Sequence, residues 1–252
     1  MKRITAKNIY TNPDKTNYMK KELVILLFLV LLAACTVNAP LRTPLRAPLH
    51  IPYVAQIGPS CVPSQVTMAL QYYYPERDYN LAQIDAMIGR EEQKWTWFSQ
   101  ALPILVNEGL DAHYYSTTPY YELTPEYVLE YYGKDDGKLI NGVTDWEQLY
   151  PSIDFLKTTD RYKNMELPWE EIEKSVNQGY VVLMIIDYNT LRGNPGLYSG
   201  HGVTITQMLP THVVYHNSNI GPHQITEKQK FIDAWNAHGT DNDVIIIRGR
   251  LQ

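Results

Sequence analysis

A cysteine, a glutamine, a histidine and an asparagine of this chain have the types and setting needed to break an amide bond. Cys61 lies in Tyr53-Val54-Ala55-Gln56-Ile57-Gly58-Pro59-Ser60-Cys61-Val62-Pro63-Ser64, directly before a helix-like run, with Gln56 five residues ahead of it. His201 sits far downstream in Ser199-Gly200-His201-Gly202-Val203, and Asn217 follows Tyr215-His216. Acyl transfer by a thiol requires an ionised sulfur, a base that moves a proton, a group that orients the base, and donors for the oxyanion. A helix N-terminus favours the thiolate of Cys61 through its dipole and free N–H groups. His201 can serve as the base, and Asn217 can hold its ring. The Gln56 side-chain amide can join the backbone N–H of Cys61 at the oxyanion. Taken alone, Cys61 reads as a buried, inert cysteine. The chemical reading comes from the four residues together.

The elements around them follow a simple pattern. Apolar residues at Val62, Val66, Ala69, Leu70 and Tyr73 repeat with a helical period, so Cys61 to Tyr74 is expected as a helix. Asn80 to Ile88 reads as a short helix capped by Asn80, and Thr96 to Glu108 as another closed by Gly109. Thr124-Pro125-Glu126 opens a further helix with proline at its first position. Lys134 to Lys138 reads as a turn or loop. Thr144 to Leu156 and Pro168 to Gln178 are helical, the latter stopped by Gly179. Tyr180 to Asp187 is an unbroken apolar run, as in a central strand covered on both faces. Gly202 to Met208, His212 to His216 and Asp243 to Arg248 are expected strands, and Thr226 to Ala237 a helix between the last two. Helices followed by a late antiparallel sheet indicate an α+β fold.

At this point the residues resemble a known family. The Gln56…Cys61 segment, Ser199 to Thr206 and Val214 to Asn217 are similar to papain-like cysteine peptidases of the bacteriocin-leader-processing type, in their stand-alone "C-thirty-nine-like" branch. Gly179 to Met184, the helix Ile225 to Trp235 and Ile245 to Ile247 fit the same branch. The resemblance spans roughly residues 51–250, with a weak match over 75–165. It implies a papain-like fold, Cys61 as nucleophile, His201 as general base, Asn217 as third member and Gln56 at the oxyanion hole. It implies a peptide or protein substrate and no metal or organic cofactor. Two positions depart from the family: Val62 stands where glycine is usual after the cysteine, and Asn217-Ser218 where Asp-Pro is more common. A branched Val62 could narrow the cleft. An acyl transferase or amidase using the same site, and a non-catalytic module on the same fold, are the alternative readings.

The N-terminus points to export. Met19-Lys20-Lys21, the apolar run Leu23 to Leu32 and Leu32-Ala33-Ala34-Cys35 describe a signal whose end resembles the lipobox of prokaryotic lipoproteins. The expected division is 1–34 as export signal, with residues 1–18 an upstream extension before Met19. Residues 35–50 follow as a lipidated Cys35 and a tether carrying Pro40, Pro44 and Pro48, and 51–252 as the peptidase domain. The expected location is the extracytoplasmic face of a membrane, held by the N-terminal lipid. With Cys35 lipidated, Cys61 has no partner for a disulfide, because the chain has only two cysteines. Of 22 basic and 27 acidic residues, six basic and two acidic precede Cys35, which leaves a net charge of −9 after it. Such a balance repels phosphate backbones and argues against nucleic-acid binding. His212, His216 and His223 match no tight zinc spacing and read as strand or loop residues. Asp187 reads as the end of its strand. The tyrosine pairs among the 20 tyrosines, and Trp95, Trp97, Trp146 and Trp169, read as packing residues.

Overall fold

The computed structural model of the chain describes residues 47–251 apart from Pro195 and Leu197. The expected export signal, Cys35 and the tether before residue 47 lie outside the described residues. The fold is α+β, with helices on both faces of one seven-stranded sheet.

In chain order, α1 spans Cys61–Tyr73 and α2 Leu81–Ile88. Asn80 caps α2 by accepting the Gln83 N–H at 3.0 Å, and Gly89 closes it in the left-handed conformation. The helix expected over Thr96 to Glu108 is shorter: a 3₁₀ turn, Phe98–Gln100, leads into α3, Ala101–Asn107. Trp97 stays outside it, with an extended backbone whose N–H is taken by Gln100 Oε1 at 2.8 Å. Strand β1, Leu110–Ser116, was not expected from the sequence, although Leu110, Ala112 and Tyr114 are buried at a period of two. Thr124 caps α4, Pro125–Tyr131.

Residues expected as a turn form the start of α5, Lys134–Val143. Gly137 is the cause of the misreading. A Cβ there would sit 2.7 Å from the Val128 carbonyl oxygen and 2.8 Å from the Leu129 Cα. The glycine therefore serves close helix packing rather than a turn, and Asp135 and Asp136 favour the positive end of the helix. Next come α6, Trp146–Thr158, capped by Asp145; β2, Tyr162–Asn164; and α7, Trp169–Gln178, ended by Gly179 at φ 89°.

Strand β3, Val181–Asp187, is buried throughout. Val181, Leu183 and Ile185 enter one core cluster, with α1, α3 and β1, while Val182, Met184 and Ile186 enter the other, with α7 and the last helix. This strand is thus covered on both faces, as its continuous apolar run requires. Burial of each such side chain contributes about 1.5–3 kcal/mol. Asp187 ends the strand and caps the short α8, Tyr188–Leu191, by accepting from Thr190. Strands β4, Gly200–Met208, and β5, His212–Asn217, follow. The helix expected from Thr226 starts later. Residues to Glu227 form β6, Gly221–Glu227, and α9 is Lys228–Trp235. Strand pairing of Thr226 with Val213 holds that segment extended. Strand β7 is Val244–Arg250.

The sheet order is β2-β1-β7-β3-β4-β5-β6, parallel at β1/β2 and antiparallel elsewhere. The expected arrangement, helices first and sheet last, is corrected by β1 and β2, which come from the helical half of the chain. No helix among the described residues is long and apolar enough to cross a membrane.

Candidate active site

The antiparallel register of β4 and β5 places Val203 opposite Asn217. His201 lies two residues before Val203, so the imidazole and the carboxamide are diagonal neighbours across the pair. They meet: His201 Nε2 and Asn217 Oδ1 are 2.8 Å apart. The backbone N–H of Asn219 also donates to Asn217 Oδ1, at 3.0 Å, which identifies that atom as the oxygen. An oxygen can only accept, so His201 Nε2 carries the proton in this bond. Nδ1 is then the ring nitrogen left for another partner.

That partner is Cys61. The thiol and the imidazole act on each other's ionisation, through hydrogen bonding and through charge. Burial by itself pushes the thiol up, but the His201 hydrogen bond and charge outweigh it. With the Gly202 and Val62 backbone groups, they hold Cys61 below its ordinary value. For His201, burial pulls down, while the Cys61 hydrogen bond and charge and the Asn217 hydrogen bond lift it above its ordinary value. Both shifts favour the same state, thiolate beside imidazolium. His201 and Asn217 are buried, and the Tyr188 ring packs on the imidazole at 5.3 Å between centroids.

The N-terminus of α1 is left open toward the sulfur. Ser60, the residue before the helix, does not cap it. Its hydroxyl donates to the Ile57 carbonyl and accepts the Ile57 N–H, both at 2.9 Å, and so closes the Ile57 to Ser60 loop. Ser60 thus leaves the first-turn N–H groups uncapped, and that of Val62 is among the backbone groups that lower the thiol.

Gln56 reaches the same place by a different route. Its backbone N–H donates to the Ser218 carbonyl at 3.0 Å, and its Oε1 accepts from the Ser218 hydroxyl at 2.8 Å. This leaves Nε2 as the outward end. Nε2 gives one hydrogen to the Gly58 carbonyl at 2.8 Å, and a carboxamide nitrogen has a second. Gln56 and Cys61 line one cavity. Ser218, the residue after Asn217, thus sets the orientation of the Gln56 amide. His216, a few residues away, is structural. Its Nδ1 accepts the His223 N–H at 3.1 Å, so its Nε2 donates to the Ile51 carbonyl at 2.9 Å and ties the incoming segment to β5.

Gln65 is the contributor that the sequence reading missed. It is fully buried on α1, one turn after Cys61, and its Nε2 donates to the Val203 carbonyl at 2.6 Å and to the Met184 carbonyl at 3.2 Å. It anchors the helix to β3 and β4 beside the histidine. A polar residue inside the apolar stripe Val62, Val66, Ala69 was its signal. The close approach needs Gly202, where a Cβ would stand 2.3 Å from Gln65 Oε1 and 3.4 Å from the Cys61 carbonyl carbon.

The cavity beside the thiol has a volume of about 180 Å³, space on the order of one side chain. Val62 is 1 % exposed and packs in the core, so it borders this space without closing it. Tyr132 lies in the core and Trp95, Trp97 and Tyr198 pack against it, and the four also form other walls of the cavity.

No family model matches the chain, and no curated protein matches it. Several solved structures are similar. The peptidase domain of Streptococcus ComA, a bifunctional ABC transporter of a quorum-sensing pathway, is 11 % identical, with a TM-score of 0.44 over 81 % of this chain and 100 % of that one. A double-glycine-motif protease from an AMS/PCAT transporter, in complex with its leader peptide, is 14 % identical. Its TM-score is 0.42, over 80 % of this chain and 94 % of that one. A candidate C39-like peptidase from Bacillus anthracis is 12 % identical, with a TM-score of 0.44 over 82 % of this chain and 100 % of that one.

Proposed function

We propose that the chain is a papain-like cysteine hydrolase that cleaves a peptide or amide bond through a thioester at Cys61. The observation that carries this reading is the convergence of Cys61 and His201 on one cavity, with Asn217 holding the imidazole at 2.8 Å and the thiol and the imidazole each shifted toward the ion pair. The Cys61 thiolate attacks the carbonyl carbon, and the carbonyl electron pair moves to oxygen, where the Cys61 backbone N–H and Gln56 Nε2 receive it. Collapse of this adduct breaks the C–N bond. The leaving amine takes the proton from His201 Nδ1. Water then attacks the thioester, gives a proton to Nδ1, and releases the acid and the thiolate. Asn217 keeps Nε2–H engaged throughout, so the ring turns the same nitrogen to each step. An amine in place of water would make the same site a transferase, and analysis of products with added amine separates the two.

The test of the ion pair is the pH dependence of iodoacetamide alkylation at Cys61, followed by mass spectrometry in a Cys35→Ser background. The thiol is held below its ordinary value, so alkylation is expected to persist at pH values where an ordinary cysteine is protonated. In His201→Ala the downward influences of the imidazole are gone and the burial effect remains. The alkylation midpoint is then expected to move up, to or beyond that of an ordinary thiol. An unchanged midpoint would remove the ion pair from the mechanism.

The same reading includes a lipid at Cys35 and an extracytoplasmic position, supported by the Leu32-Ala33-Ala34-Cys35 sequence after a short apolar run. Cys35→Ala is expected to move the protein from the membrane fraction and abolish incorporation of labelled fatty acid. Unaltered labelling would exclude this site.

A further inference from the structure

The walls of the cavity at Cys61 are mostly apolar. Trp95, Trp97, Tyr132 and Tyr198 supply rings, and Ile140 and Ile185 supply aliphatic surface. Among the described residues no lysine or arginine lines the cavity, and its two aspartates are engaged by the protein. Asp241 Oδ2 accepts from the Thr118 hydroxyl at 2.7 Å and from the Tyr132 hydroxyl, and Asp241 Oδ1 is buried. Asp243 Oδ1 accepts from the Tyr114 hydroxyl at 2.7 Å. Burial, and then the charge of Asp241, push Asp243 well above the ordinary carboxyl range, toward its neutral form. Trp97 Nε1 is taken as well, donating to Thr144 Oγ1 at 2.9 Å. An occupant therefore meets ring and aliphatic carbon, with Cys61 and His201 beside it.

These walls are held in place by their own packing. Tyr198 stands between two glycines: a Cβ at Gly200 would lie 2.6 Å from its Cζ, and one at Gly239 2.9 Å from its Cδ2. Both approaches need the absence of a side chain. The Tyr132 ring lies 6.2 Å from that of Tyr198 at 31°, and Trp97 meets Tyr120 edge to face at 6.2 Å. A preformed, mostly apolar concavity with a few polar groups at one side is the usual form of a site for an apolar ligand group. Size narrows the choice of that group. At about 180 Å³ the cavity is a little larger than an apolar cavity of roughly 150 Å³ that takes up benzene. A phenyl ring fills such a space, whereas a short side chain leaves the wall atoms without contacts.

We propose that this cavity is a specificity pocket for one large apolar side chain of the bound peptide, a phenyl ring foremost, with Trp95, Trp97, Tyr132 and Tyr198 as the residues that select it. The proposal deepens the hydrolase reading and rests on Cys61 as the nucleophile of the same cleft. Cys61, Gly200 and His201 line the cavity, so a side chain seated in it belongs to a residue close to the bond under attack. Glycine would fill none of the space. A lysine or glutamate side chain would give up the hydration of its charge among the rings, with no open counter-charge to replace it.

The test uses the Cys61→Ala chain, which cannot form the thioester. It is titrated by calorimetry with four capped alanine-based heptapeptides that differ only at the centre: phenylalanine, glycine, lysine and glutamate. The phenylalanine peptide is expected to bind about tenfold or more tighter than the glycine peptide, the scale of burying one large apolar side chain. The lysine and glutamate peptides are expected to bind no tighter than the glycine peptide. Trp95→Ala in the same background removes one half-buried wall and is expected to cut the phenylalanine preference by about threefold or more. Trp95→Phe, which returns a ring, is expected to recover most of that loss. Equal affinities for the four peptides, tightest binding of any peptide but phenylalanine, no binding of the phenylalanine peptide, or a preference unchanged in a folded Trp95→Ala chain would overturn the pocket. The peptide comparison stands even where Trp95→Ala does not fold, because it leaves the walls intact. Turnover by the wild-type chain is scored separately. Phenylalanine preference without turnover supports the pocket and discards the hydrolase, whereas turnover without phenylalanine preference discards only the pocket.

Discussion

Cys61→Ala is expected to lower turnover by about four orders of magnitude or more while the protein stays folded. The size follows from the proposed mechanism, in which sulfur forms the covalent bond and, among the described residues, no neighbouring hydroxyl or carboxylate is hydrogen-bonded to His201 to replace it. The fold should persist for two reasons. Cys61 is half-buried at the first position of α1, and alanine is a good helix former there. Removal of the thiol also removes the hydrogen bond and charge that raise His201, so the imidazole can stay neutral and no orphan charge is buried. The melting temperature is expected to change by less than about 4 °C, the shift produced by roughly 1 kcal/mol in a domain of this size. Turnover retained in this variant would discard the thioester mechanism outright.

Asn217→Ala is expected to reduce kcat by roughly tenfold to 150-fold, the equivalent of about 1.5–3 kcal/mol for a hydrogen bond to a charged group. The imidazolium would keep its buried Nε2–H without an acceptor, since Asn217 Oδ1 is its partner at 2.8 Å. The Asn219 N–H would lose its acceptor too, so some stability is lost along with activity. A second measurement distinguishes positioning from damage to the fold. The Asn217 hydrogen bond is one of the influences that raise His201, so its loss should shift the alkylation midpoint of Cys61 upward. Asn217→Asp keeps an acceptor and adds a charge opposite the imidazolium, and it is expected to recover most of the loss and return the midpoint. An alanine variant with reduced kcat but an unmoved midpoint would mean that Asn217 acts on the fold alone.

Much of the local architecture was legible in the residues because its causes are local. Asn80 and Thr124 cap their helices with their own side chains, and Gly89 and Gly179 end helices in a left-handed conformation. Strand β3 announced its burial through an unbroken apolar run. Other elements failed for equally physical reasons. A lone glycine between aspartates signals a turn by composition, yet Gly137 is a contact point between two helices, which only the partner helix reveals. The segment around Thr226 could be helical until β5 is there to pair with it. Strand β1 mixes histidine and tyrosine with aliphatic residues, and its sheet position depends on β7, more than 120 residues later.

By itself, the sequence determined which groups were available for chemistry: a thiol at the start of a helical run, a histidine and an asparagine far downstream, and a glutamine ahead of the thiol. Residue type sets what a side chain can donate, accept or ionise, and that does not await folding. The tertiary structure decided which of those groups meet, and it alone turned Asp241, Asp243, Tyr132, Tyr198 and two tryptophans toward the sulfur. These residues come together from segments separated by up to about 150 positions, and no short-range pattern encodes that closure. It follows from the registry of the strands and the close packing of α1 through Gln65 and Gly202.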